Sequence, residues 1–207
     1  NKDFGIVEED FISADLQLVP AFNPRDVGYD RTFLGAYAHD DRICTYTALR
    51  GLLDSSAVPE STSIGFFIDK EEIGSVGATG AQSNWLLDII VKLLELRGKT
   101  PHIGMTSKIF NNSEAISADV NAAVNPMFKE VHDSGNSAQA GKGVVLTKFT
   151  GSGGKYSSNE AIAEFTAKIR RIYNSNNVQW QFSELGRVDE GGGGTIAKFI
   201  SQWGINT

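Results

Sequence analysis

The sequence has a single cysteine, Cys44, and no apolar run that approaches the length of a membrane span. One cysteine excludes an internal disulfide, so nothing demands an oxidising compartment, and we expect a cytoplasmic protein that does not insert in a membrane. The net charge is −6 and no long lysine–arginine cluster is present, which argues against a nucleic-acid-binding protein. The first ten residues lack the basic start and apolar core of a signal peptide.

What is present is typical of a globular domain. The chain has 207 residues, of which 41% are apolar and 21% are charged. This length supports one good core, or one core and a small additional piece. The chain begins without methionine, so we expect a trimmed or partial piece of a longer protein.

Hydrophobic periodicity predicts strands that alternate with helices. The cleanest helix is 157–173, where Ser157 and Glu160 fit a capping box. The other expected elements are helices at 43–56, 83–98 and 195–204, and strands at 12–20, 62–69, 101–107, 113–120, 141–150 and 178–185. Such alternation favours an α/β fold, here a layered domain with helices on both faces of a sheet.

Acidic side chains directly follow the ends of apolar segments at three places. Asp40 and Asp41 precede a predicted helix, Glu71 and Glu72 follow the predicted strand 62–69, and Asp119 follows another apolar segment. Ligands of α/β sheets bind at the carboxyl ends of strands, so these groups could meet at one rim. Converging carboxylates without neighbouring cations need a metal, and a glutamate left free can act as a base.

Each of these features also has an ordinary structural interpretation. Adjacent glutamates are usually a solvated turn, and an aspartate before a helix is often its N-cap, an interpretation that suits Asp41 in any case. Asp119 could lie in an exposed turn. The three histidines, His39, His102 and His132, are scattered, and each alone is more often structural than a ligand.

Glycines 191–194 precede a predicted helix and expose backbone N–H groups that could hold a substrate carbonyl or carboxylate. A nucleotide-binding module is a weaker alternative, because the run lacks the lysine and the serine or threonine that end a phosphate-binding loop.

Taken in order, five segments resemble the aspartyl aminopeptidase and vacuolar aminopeptidase-I family of two-zinc exopeptidases, closer to its bacterial and vacuolar branch. They are GAYAHDDRICTYTAL (35–49), FFIDKEEIGSVGATGAQS (66–83), ISADVNAAVNP (116–126), KGVVLTKFTGSGGKYSSNEA (142–161) and GRVDEGGGGTIAKF (186–199). The resemblance implies a three-layer α/β/α sandwich with a mostly parallel or mixed central sheet, as in zinc exopeptidases.

The resemblance also implies roles for individual residues. Glu71 would be the general base of catalysis. The metal ligands would be Asp40, which bridges two divalent ions and is often followed by a cis peptide bond, together with Glu72 and Asp119. Gly193, Gly194 and Thr195 would line the substrate pocket. The two ions would be zinc.

The chain departs from the family pattern at both ends. Residues 1–12 look like the tail of a missing β-rich dimerisation insert, and 13–207 like a catalytic domain that lacks its N-terminal and C-terminal portions. The two histidine ligands of the family have no counterpart among His39, His102 and His132. We therefore expect weak zinc binding by the carboxylates alone.

The sequence thus predicts a metallo-aminopeptidase that releases N-terminal amino acids from peptides through water activated by two metals. The alternative is a catalytically inactive fragment or a structural subunit of a large hollow oligomer. The resemblance implies a homo-oligomer, a dodecamer. An acidic substrate would need a basic pocket, for which Lys148 and Lys155 are the candidates.

Overall fold

We describe a computed structural model, in which residues 2–151, 153 and 156–207 can be described. The chain divides into two units, Asn1–His39 and Asp40–Thr207. No helix in the described part is both long enough and apolar enough to cross a membrane.

The first unit contains one short helix and one hairpin. Helix α1 (Glu8–Ile12) carries three acidic residues in its first turn, which suits the positive end of a helix. Strands β1 (Arg25–Val27) and β2 (Phe33–Gly35) pair antiparallel. The predicted strand 12–20 is wrong, because this segment finds no neighbouring strand among the described residues and Leu18 is fully exposed.

The second unit contains the remaining elements. Its helices are α2 (His39–Leu53, whose first residue belongs to the first unit), α3 (Trp85–Leu96), α4 (Ile103–Asn111), α5 (Ala163–Ser175) and α6 (Ala197–Ser201). Its strands are β3 (Val144–Leu146), β4 (Phe149–Thr150), β5 (Asn159–Glu160) and β6 (Trp180–Phe182). β3 pairs parallel with β6, and β4 pairs antiparallel with β5.

Helices and short strands thus confirm the expected α/β class. Within the described residues the strands form three two-stranded pairs, and the three-layer sandwich stays a prediction. The predicted strand 62–69 carries no ladder there. It nevertheless runs extended, with Phe66 and Ile68 partly buried and Phe67 exposed between them.

Two predicted elements have the wrong type or start. The segment 101–107 forms the first turns of α4 and not a strand, because Thr106 and Phe110, four residues apart, share its buried face. Helix α5 begins at Ala163 and not at 157, since Asn159 and Glu160 pair with β4. Its N-cap is therefore Ile162, and the capping box predicted for Ser157 is wrong.

The core of the second unit supports both segments that carry acidic residues at their ends. Its buried centre comprises Leu86, Ile90, Phe110, Ile200 and Ile205. Phe66, which leads towards Glu71, and Ala115, which leads towards Asp119, both pack against this centre. One core therefore fixes the starting points of two chain segments on which the site depends.

Candidate metal centre

Three aspartates from two separate segments meet in the second unit. Asp40 and Asp41 lie at the start of α2, where both have non-helical backbone angles, and Asp119 lies near the end of the extended segment 113–120. One ligand atom from each of Asp40, Asp41 and Asp119 lies within 4.8 Å of the others. We call these three residues the aspartate trio. The peptide bond between Asp40 and Asp41 is cis, as the resemblance implies.

Asp119 reaches the trio because its segment is extended and anchored. Ser113, Ala115, Ser117 and Asp119 are partly buried, whereas the residues between them are exposed, so they share one side. The pKa of Asp119 is raised to about 6, mainly by burial and further by the charges of Asp41, Asp40 and Glu72, and these effects outweigh the lowering by a 2.7 Å hydrogen bond from the Val120 N–H. A carboxylate in this position is stabilised by a nearby cation.

Asp41 is the member of the trio that the sequence assigned to a helix cap. Its carboxylate accepts a hydrogen bond from the Cys44 thiol, while its Oδ1 atom is buried and has no hydrogen-bond partner among the described residues. Burial raises the pKa of Asp41, and repulsion by Asp40 adds to that effect. A buried carboxylate oxygen that no donor satisfies is an acceptor available to a cation. The only sequence signal for this role was its place beside Asp40.

Glu71 and Glu72 lie in a tight turn, the 3-10 segment Glu71–Ile73. Lys70 and Ser75 flank it with φ angles of 68° and 60°, and Gly74 has a φ of 94°. Glu71 is partly buried, and burial, followed by repulsion from Asp119 and Glu72, raises its pKa. Glu72 is exposed and acts on Asp119 through its charge, but it lies outside the trio of ligand atoms. Its role as a ligand stays a prediction.

Gln82 braces the far end of this turn. Its side-chain amide donates a 2.9 Å hydrogen bond to the Gly74 carbonyl, and its backbone N–H donates to the Ser75 carbonyl at 3.2 Å. Ser75 is only 1% exposed, and a Cβ added at Gly80 would lie 2.3 Å from the Ser75 oxygen. The backbone behind the two glutamates is therefore closely packed and held by a side chain eight residues away.

We expect the substitution Gln82→Leu to accelerate amide hydrogen exchange across 71–75 by about tenfold, because loss of the side-chain amide removes the hydrogen bond that holds the Gly74 carbonyl. Hydrogen-exchange mass spectrometry measures this effect. Gln139→Leu is the control, since the Gln139 side chain is exposed and the structure describes hydrogen bonds only for its backbone. Unchanged exchange across 71–75 in Gln82→Leu would contradict the bracing role.

The glycine run lies along a small cavity of about 70 Å³. Gly193 lines this cavity together with Phe149, Leu185 and Arg187, whereas Gly194 and Thr195 are not among its described lining residues. A Cβ at Gly193 would lie 2.5 Å from the Leu185 Cδ2 atom, so a larger residue there would displace the Leu185 side chain. The Gly193 carbonyl also accepts a 3.0 Å hydrogen bond from the Gly151 N–H.

Of the two lysines predicted as candidates to bind an acidic substrate, the structure describes the contacts of one. Lys148 forms a 3.2 Å salt bridge with Glu160 and lies 5.3 Å above the ring of Phe149. Its charge is thus partly neutralised within the protein. Lys155 lies outside the described residues.

The three histidines lie outside the aspartate trio. His39 begins α2 and His102 precedes α4. The Nε2 atom of His132 accepts a 3.2 Å hydrogen bond from the Asn125 N–H, and its Nδ1 atom is buried without a partner in the described part of the chain. The structure therefore gives His132 a contact within its own loop.

The trio fits a divalent cation. Three carboxylates converge, one buried oxygen has no hydrogen-bond donor in the part of the chain that the structure describes, and burial and mutual repulsion raise the pKa of two members. A divalent ion would offset this repulsion. Carboxylate oxygens are accepted zinc ligands, although the metal usually also takes imidazole or thiolate.

Comparisons with known proteins agree with this chemistry. Residues 1–207 match the family described as aminopeptidase I zinc metalloprotease (M18). A probable M18 family aminopeptidase 1 of Thermotoga maritima is 50% identical over 204 residues, which are 99% of this chain and 45% of that relative.

Solved structures give the same result. A crystal structure of an M18-family aminopeptidase from Thermotoga maritima matches with a TM-score of 0.89 at 49% identity, over 100% of this chain and 45% of that one. The structure of the S. cerevisiae mApe1 dodecamer matches with a TM-score of 0.68 at 24% identity, over 90% of this chain and 40% of that one, which supports the fold alone.

The chain spans less than half the length of these relatives. The match of the family model nevertheless extends along all 207 residues. The chain therefore belongs to the M18 family of aminopeptidase I zinc metalloproteases.

Proposed function

We propose that this protein is a zinc-dependent aminopeptidase that releases N-terminal amino acids from peptides. The observation that carries the proposal is the convergence of the Asp40, Asp41 and Asp119 carboxylates. Glu71 lies close enough to them that the charges of all three raise its pKa. The family description supports zinc as the metal. Two ions per chain are our further proposal.

Asp40 and Asp119 would hold the metal, with Glu72 as an additional ligand and Asp41 as the trio's third donor. Bound zinc supplies Lewis acidity, which polarises a carbonyl and lowers the pKa of water. The chain's own part in catalysis is proton transfer. Glu71 is positioned beside the trio, and its raised pKa suits a group that takes a proton from the attacking water and gives it to the leaving nitrogen.

Substrate binding is assigned to the glycine run. Gly193 borders the cavity, and Gly194 and Thr195 continue the chain from it. Because Lys148 is engaged with Glu160, we propose that neutral N-terminal residues are cleaved at least as fast as acidic ones.

Three further proposals concern the protein as a whole. We propose a homo-oligomer, and the mApe1 dodecamer is the model for its size. We propose that residues 1–12 are the tail of a β-rich dimerisation insert and that 13–207 belong to the catalytic domain. We also propose that the protein is cytoplasmic. An inactive structural subunit is the competing function, and turnover separates the two.

The test combines zinc analysis with a panel of aminoacyl chromogenic substrates on the complete gene product. We expect two zinc ions per chain, hydrolysis that a chelator abolishes, and recovery when zinc is added back. One zinc ion per chain would contradict the two-ion proposal. Oligomer assembly without turnover on any substrate would favour the structural subunit.

A further inference from the structure

Two hydroxyl groups connect the metal segment with the glycine run. The Oγ atom of Ser117 lies 3.2 Å from the Oγ1 atom of Thr195, although the two residues are 78 positions apart in the sequence. Both side chains are partly buried. Ser117 lies two residues before Asp119, and Thr195 directly follows the four glycines. The contact therefore joins a proposed metal ligand's segment to the proposed substrate segment.

The Thr195 hydroxyl is already engaged by the protein. Its Oγ1 atom accepts a 3.1 Å hydrogen bond from the Ala197 N–H at the start of α6, in addition to its contact with Ser117. A hydroxyl offers one donor and two acceptor positions, so two protein partners leave one of the three for a substrate. Thr195 is thus better suited to hold its own segment in place than to contact a peptide.

Ser117 is fixed on its side of the contact as well. The segment is anchored upstream, because Ala115 packs against the core and its N–H donates a 2.8 Å hydrogen bond to the Asn206 carbonyl. Ser117 and Asp119 share the partly buried side of this extended segment. Ser117 therefore contacts Thr195 from a fixed position in the metal segment.

The glycine run is held just before Thr195 too. The Gly193 carbonyl accepts the Gly151 N–H, so Gly194 lies between two anchored residues. Glycine has little conformational preference of its own, and a run of four needs such external contacts to keep one shape.

We propose that Ser117 and Thr195 are positioning residues, whose hydroxyl contact aligns the glycine run with the metal segment for peptide binding. This inference rests on the proposed function. It changes the expected role of Thr195 from a substrate contact to a residue that acts through its neighbours.

Kinetics of Ser117→Ala, Thr195→Val and the double variant test the proposal. We expect each single variant to raise KM about fivefold, the equivalent of one hydrogen bond of about 1 kcal/mol. kcat should change less than twofold and zinc content should not change, because Glu71 and the trio keep their own contacts. The double variant should be no worse than Thr195→Val alone, since the contact that Ser117→Ala removes is already lost in it. Thr195→Ser, which keeps the hydroxyl, should restore most of the KM.

Ser113→Ala and Thr106→Val are matched controls. Each removes a partly buried hydroxyl that donates to a carbonyl, Ser113 at 2.8 Å to Ile109 and Thr106 at 3.0 Å to Ile103. They should lower Tm like the test variants but leave KM unchanged. Additive KM effects in the double variant, or a lower Tm with an unchanged KM, would overturn the inference.

Hydrogen exchange separates this inference from the proposed function. If the zinc-loaded parent protein hydrolyses no substrate, the proposed function fails on its own. Amide exchange then tests the alignment directly, because loss of either hydroxyl should accelerate exchange in both 116–120 and 192–196. Faster exchange only in the segment that carries the substitution would refute the coupling.

Discussion

Replacing Glu71 by glutamine should lower kcat by about 10²–10⁴-fold, the usual contribution of a positioned general base. Glutamine has nearly the shape of glutamate but cannot take up a proton. Glu71 is partly buried beside three aspartates, and its pKa is raised mainly by burial and next by the charge of Asp119. Glu71 is not among the proposed metal ligands, so zinc should be retained. Steady-state kinetics with parallel zinc analysis measure both quantities.

Glu72→Gln is the matched control for this experiment, because the two glutamates are adjacent and change in the same way. Glu72 is exposed and acts on the trio through its charge. We expect Glu72→Gln to weaken zinc binding and to recover activity when zinc is added in excess, whereas Glu71→Gln should not recover. If excess zinc restored Glu71→Gln, Glu71 would be a ligand and not the base.

The sequence predicted best what depends on local pattern. Helix α3 was expected at 83–98 and is found at Trp85–Leu96, because a long apolar face and the left-handed Gly98 that follows define a helix strongly. Asp119 was placed at the end of an extended segment, and the alternation of burial along 113–120 agrees with that placement. The wrong assignment at 101–107 arose because a short apolar run fits a strand or a buried helix equally well.

Contacts between distant segments were beyond the reach of sequence patterns. The sequence suggested that Asp41 is a helix N-cap, and it belongs to the aspartate trio because the fold places Asp119 beside it. The Ser117–Thr195 contact and the Gln82 brace each join residues whose types are common in loops. The role of such side chains depends on which residues the fold places next to them. Phe66 and Ala115 pack against the same core, and this core positions the segments that lead to Glu71 and Asp119.

Helix α2 is another element whose packing could not be predicted from its local sequence. Ile43, Tyr46 and Leu53 are between 50% and 66% exposed, and none of the residues of α2 is buried. An isolated helix of this length is marginal in water without tertiary packing. The local sequence was sufficient to predict the helix, but its packing partner could not be inferred from it.

The substitution Asp119→Asn should have opposite effects in zinc-free and zinc-loaded protein. The pKa of Asp119 is raised in the folded state to about 6, from 3.8. A raised pKa favours folding while the group is protonated, and that contribution is lost as the pH rises through about 6. At pH 7.5 the zinc-free parent therefore carries an unfavourable charge, which asparagine removes. We expect the zinc-free variant to melt about 2–4 °C above the parent at pH 7.5, and at nearly the same temperature at pH 4.

Zinc should make the parent melt above the variant, because the Asp119 carboxylate, which destabilises the zinc-free protein, is a proposed ligand of bound zinc. Loss of even an indirect partner of a metal ligand costs 10–100-fold in affinity, so loss of a ligand should weaken zinc binding at least about 100-fold. Zinc should then raise the Tm of the parent well above that of the variant, since stabilisation grows with the ratio of free zinc to Kd. Thermal melts with chelator and with zinc, at both pH values, test the prediction. A zinc-free variant less stable than its parent at pH 7.5 would show that Asp119 is held by local contacts and not poised for a cation.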